Sequence, residues 1–157
     1  MKKLIIAAGI AAATMASFGA SATDYTSYAS VNTVVTGDSG FSITTVDKTL
    51  DSTSFKASAA ELGQFVVKVP TGATAVSLSD IHAHDYPNGY VVKITGGGSE
   101  CIATVGAAGA TTLKGGACDI TGVSGSVTLD ATNNAAFVGD VIPGTKTLTV
   151  KFTSTVN

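Results

Sequence analysis

The chain predicts an all-β sandwich, and three observations lead there. Beyond its first two dozen residues the sequence is dominated by Thr, Val, Ser, Gly and Ala, small and β-branched residues that suit a pleated, half-buried surface. Short runs of strict apolar–polar alternation recur along it, which is the two-residue period of a strand with one face covered. Gly, Asn, Asp and Pro separate those runs, as turns separate short strands. Helix has one short candidate, Ala57 to Leu62, where Ala, Ser and Glu cluster without β-branched residues.

The first segment is not expected to belong to the mature fold. Met1-Lys2-Lys3 precedes an apolar run from Leu4 to Ala13 and a small-residue stretch ending Ala20-Ser21-Ala22, the three parts of a secretory signal peptide, so residues 1–22 are expected to be cleaved during export. The apolar run is shorter than the roughly 20 residues a membrane-spanning helix needs. Residues 23–36 follow as a β-branched and aromatic stretch with no Gly or Pro before Gly37. Tyr25, Ser27, Ala29, Val31, Thr33 and Val35 share one parity in it. A new terminus is expected to be frayed and polar unless a sheet ties it down. This one can be the first strand of its own sandwich, or a strand offered to the open sheet edge of another molecule.

Residues 37–157 then read as one β domain. Phe41 to Val46 and Gln64 to Val69 alternate cleanly. Val76 and Leu78 pair up within Ala75 to Ser79, and Tyr90, Val92 and Ile94 within Tyr90 to Thr95, after a turn at Pro87-Asn88-Gly89. The Gly- and Ala-rich segment from Gly96 to Gly116 holds Cys101 just before its centre, with Cys118 just beyond it. An exported chain with an even number of cysteines reads as disulfide-bonded, so a stapled hairpin is expected there. Val123 to Leu129 and Ala135 to Val138 are expected as strands around an Asn133-Asn134 turn. The last run, Thr147 to Thr153, sets Leu148, Val150 and Phe152 against Thr149 and Lys151, which specifies its register firmly.

Charge and motifs remove several function classes. Nine basic residues, every one a lysine, stand against eleven acids, and two of those lysines lie in the expected leader. Without arginine or a basic excess, a nucleic-acid partner is not expected. No Ser sits in a Gly-x-Ser-x-Gly elbow. Gly96-Gly97-Gly98 leads into Ser99-Glu100-Cys101, not into the Gly-Lys-Ser/Thr of a phosphate-binding loop. No catalytic residue and no cofactor are therefore assigned, and the chain is not expected to be an enzyme. Asp80-Ile81-His82-Ala83-His84-Asp85 holds both histidines. On a strand, His82 and His84 would share a face and, with a carboxylate, could hold Zn or Cu. We read the segment instead as a solvated loop before the Pro87 turn and assign no metal, keeping the two histidines as weak candidates. Tyr86 and Tyr90, flanking that turn, are read either as a small surface patch for a glycan or as a turn with one buried Tyr.

With its strand-rich first segment and its alternating last run, the chain resembles the structural pilins of the chaperone-usher pathway. In that family the last strand follows a glycine fourteen residues from the C-terminus; here that glycine is Gly144, in Ile142-Pro143-Gly144-Thr145, followed by Leu148, Val150 and Phe152. Val156 stands next to last, where the family often carries an aromatic residue. The resemblance implies an incomplete immunoglobulin-like sandwich whose missing strand is supplied first by a periplasmic chaperone and then by another subunit. Residues 23–36 would be the donor, and the strand with Gly144, Leu148, Val150 and Phe152 would border the accepting groove. The implied partners are further copies or related pilins, the chaperone, an outer-membrane usher, and a host receptor or glycan. The implied location is a fimbria on the bacterial surface, where the subunit would support adhesion. The alternative reading is a self-complete exported sandwich that binds a carbohydrate or a metal ion.

Overall fold

The computed structural model describes residues 40–116 and 118–156, all within one compact unit, Thr33–Asn157. The expected signal peptide, and the donor segment with Tyr25, Ser27, Ala29, Val31, Thr33 and Val35, lie outside the described residues.

The chain forms β1 (Ser42–Asp47), a one-turn helix α1 (Ser52–Lys56), then β2 (Glu61–Lys68), β3 (Ala73–His84), β4 (Val91–Gly96), β5 (Ser99–Val105), β6 (Thr111–Leu113), β7 (Cys118–Thr121), β8 (Ser126–Asn133) and β9 (Thr147–Val156). One sheet has the order β1-β2-β8-β4-β5-β6 and the other β7-β3-β9. Every pairing is antiparallel. The fold is thus all-β, as the alternation predicts. Among the described residues no helix is long and apolar enough to cross a membrane.

The inner faces supply the core. Val67, Val92, Ile94, Val105 and Leu129 of the larger sheet meet Val76, Leu78 and Ile120 of the smaller one, all essentially without solvent contact. Full burial of such a side chain contributes about 2 kcal/mol. Phe65 of β2 packs on Phe152 of β9, ring centroids 5.2 Å apart, so β9 lies across β2 from the opposite sheet.

The helix is displaced from its expected position. Asp51 caps it, its Oδ1 accepting from Ser54 N at 2.7 Å, and the backbone and side chain of Ser54 hold the Asp51 carboxyl below its ordinary pKa. Phe55 anchors the turn in the core, while Glu61, expected within the helix, already pairs with Thr132 of β8. Three groups satisfy the carbonyls at the helix C-terminus. Tyr90 Oη donates to Phe55 O at 2.7 Å. Asn133 Nδ2 donates to Lys56 O at 3.2 Å and Ala57 O at 2.9 Å. Phe137 N donates to Lys56 O at 2.9 Å. Asn133 is therefore no turn residue: it ends β8 and is the one buried polar side chain among the described residues. The strand expected from Ala135 to Val138 does not form, since Phe137 is held by Lys56 and by its packing on Tyr90.

Two further expectations are corrected. The Cys101–Cys118 disulfide is present, with Cα atoms 5.6 Å apart, but it does not staple a hairpin. Cys101 lies on β5 and Cys118 on β7, so the bond ties one sheet to the other. The segment containing the histidines is not a loop. β3 runs on through it to His84, pairing with β9 from His82↔Thr149 to His84↔Thr147.

Candidate functional site

The site with most to offer a partner is the side of the sandwich where, among the described residues, β1 ends one sheet and β9 ends the other. Among the described residues β9 pairs with β3 alone, which leaves its outer edge without a ladder partner. β1 likewise pairs with β2 alone. An antiparallel edge presents about half of its backbone N–H and C=O groups outward, and such a row is a template for another strand.

The side chains on this side are also less buried than those of the inner strands. On β3, Val76, Leu78, Ile81 and Ala83 are fully buried. On β9, Leu148, Val150 and Phe152 point at the same core, yet each is only half-buried, and no described residue of that strand is fully buried. Phe41 and Ile43, just before and within β1, are half-buried against the core in the same way. Val46 and Leu50, following them, are 44% and 37% exposed. Two edge strands thus carry inward-facing apolar residues that the described residues only partly cover, so a strand added along β9 would meet backbone without a ladder partner among the described residues and half-buried side chains.

Of the residues named from the sequence, Leu148, Val150 and Phe152 come together on this edge. Gly144 does not lie on the strand. It sits in the exposed connection ahead of β9 at φ +141°, a conformation that only glycine adopts readily. Phe41 and Ile43 are the site residues that sequence reading missed. Their signal was available in the alternation of the first strand, but nothing in the sequence placed that strand at a sheet edge beside β9.

The histidines lie elsewhere, on the outer face of β3. The parity of this strand changes midway: Val76 and Leu78 point inward, then Ile81 and Ala83 do. A bulge between Ser79 and His82, with Asp80 at φ +46°, causes the switch. Without it, His82 and His84 would face the core. Their rings stand 6.5 Å apart, and His84 Nδ1 lies 3.0 Å from Asp85 Oδ2. Among the described residues no group of three or more His, Cys, Asp or Glu is placed to hold a metal ion. Tyr86 and Tyr90 form no surface patch. Both are buried against Phe55, and burial pushes the Tyr86 hydroxyl up to about 12 and raises that of Tyr90 as well, with Tyr86 adding to the effect.

No protein-family model matches the chain, and neither a curated protein nor a solved structure does.

Proposed function

We propose that this protein is a structural subunit of a bacterial surface fimbria, exported through the periplasm and polymerised by donation of residues 23–36 to the open edge of the next copy. The observation that supports this most is β9: a ten-residue strand with one partner among the described residues and with its inward apolar side chains left half-covered. In this reading the sandwich is immunoglobulin-like and lacks a strand. Leaving backbone groups and apolar side chains uncovered is unfavourable and aggregation-prone, so a periplasmic chaperone covers the edge until a neighbouring subunit does. The segment from Tyr25 to Val35 has the pattern for that task, with one parity of side chains entering the groove while its backbone pairs along β9. A contact of this kind is head-to-tail and does not close, so repetition gives a filament. Assembly requires no catalytic residue, and adhesion follows from display on the filament.

The test compares the mature chain with a form lacking residues 23–36, to which a synthetic peptide of that segment is added. At a peptide concentration about 100 times the dissociation constant, linkage stabilises the truncated domain by about 2.7 kcal/mol, which raises the melting temperature by about 10 °C. No shift with peptide, together with a stable monomeric full-length chain, would place residues 23–36 within their own sandwich and remove the basis for the proposal.

A further inference from the structure

We propose that His82 and His84 form a surface chelate for a borderline divalent cation of the Zn²⁺ or Ni²⁺ type. The proposal does not depend on strand donation. The bulge at Asp80 turns both histidines out of the core onto one face of β3, and both are exposed. Histidines two apart on a strand face the same way, and imidazole nitrogen suits Zn²⁺, Ni²⁺ and Cu²⁺ but not the hard cations, which take oxygen ligands.

Asp85 completes the arrangement. Its carboxylate, 3.0 Å from His84 Nδ1, accepts the proton on that nitrogen and leaves the Nε2 lone pair of His84 directed away. A carboxylate behind a ligating imidazole fixes its tautomer and ring orientation. Asp85 itself adopts φ +61° directly after β3.

The rings need only a small adjustment. With metal–nitrogen bonds of about 2.0 Å at a tetrahedral angle, two bound imidazoles have centroids roughly 5 Å apart, against 6.5 Å here. Rotation of two exposed side chains closes that difference. His82 packs close to Gly109, where an added Cβ would lie 2.9 Å from the ring. Beside His84 lies an open hollow of about 310 Å³, bordered by Asn88 and residues 106–109, with room for the water molecules that fill the remaining coordination positions.

The experiment titrates the mature chain, without an affinity tag, with ZnCl₂ and NiCl₂ by calorimetry. One equivalent of each metal is expected to bind. His82→Ala and His84→Ala should each weaken binding at least tenfold with unchanged melting temperature in the absence of metal, since neither side chain is buried. Asp85→Asn, a positioning variant, should weaken it about tenfold and move the imidazole resonances of His84 while leaving those of His82 in place. No binding up to about 1 mM metal, or binding that survives both histidine substitutions, would overturn the assignment.

Discussion

Replacing Asn133 by alanine should destabilise the domain far more than its place near the end of a strand suggests. Its amide donates to Lys56 O at 3.2 Å and Ala57 O at 2.9 Å, and the side chain is only 1% exposed. In the variant Lys56 O keeps Phe137 N as a donor and Ala57 O keeps Ala60 N, so each carbonyl loses only its side-chain partner. Two net hydrogen bonds of about 1 kcal/mol each give a loss of about 2 kcal/mol. For a domain of this size that lowers the melting temperature by about 10 °C. Asn133→Asp sharpens the test, because a carboxylate has no proton to give and would face two carbonyl oxygens out of water. Desolvation and the facing oxygens raise its folded pKa above the unfolded value of about 3.9. The sign follows from linkage: the protonated acid can donate one bond, so its stability is present below about pH 3.9 and is lost as pH rises through the folded value. Urea midpoints of both variants against the parent at pH 7 and at pH 4 would decide. A loss under about 1 kcal/mol for Asn133→Ala, or a deficit for Asn133→Asp that is the same at both pH values, would refute the role of this amide as the helix's C-terminal partner.

Other outcomes follow from the same structure. If residues 23–36 are donated as proposed, Val31→Asp carries a carboxylate into the accepting groove, where an unpaired charge is strongly disfavoured; polymer assembly, followed by sedimentation, should then fail while the fold stays intact by circular dichroism. Alkali should unfold the domain through Tyr86 and Tyr90. Their folded pKa values are raised, so the stability they confer is complete below their ordinary value of 10.0 and is lost as pH rises, through about 12 for Tyr86 and higher still for Tyr90, and a denaturation midpoint that stays flat from pH 9 to 12 would contradict this. Asp51 gives the opposite dependence. Its folded pKa is lowered below 3.8, so its cap contributes above that pH and fades as pH falls through the folded value; Asp51→Ala should be less stable than the parent at pH 7 and converge with it in acid.

The parts of the fold that could be read from the sequence are those whose period never breaks. Leu148, Val150 and Phe152 keep one parity through the whole of β9, so the strand and its inward face are evident without coordinates. β3 is legible only as far as Ser79, because the bulge at Asp80 exchanges the two faces and the pattern looks like the end of a strand. α1 is misplaced because its position is set by a side-chain cap at Asp51 and a buried Phe55, not by the better helix formers from Ala57 onward. The pairing of Cys101 with Cys118 follows from their number, but their joining of two sheets depends on a crossing between β6 and β7 that no local pattern records. The half of the candidate site on β9 was accordingly visible, and the half on β1 was not. Which strands end a sheet is a property of the topology, not of any one segment.

The disulfide also determines how the molecule would behave under tension. β5 and β7 stand on the side of the sandwich opposite β1 and β9, and the bond closes a loop with a sequence separation of 17 residues. If the chain is pulled from its ends until it unravels, that loop is bypassed, and force passes through the sulfur atoms in its place. At about 3.5 Å per residue the protected slack amounts to roughly 55 Å of contour length, after the 5.6 Å already spanned between the Cα atoms is removed. The oxidised protein would therefore lengthen less on rupture than the reduced one by that amount, with its tether located away from the outer edge of β9.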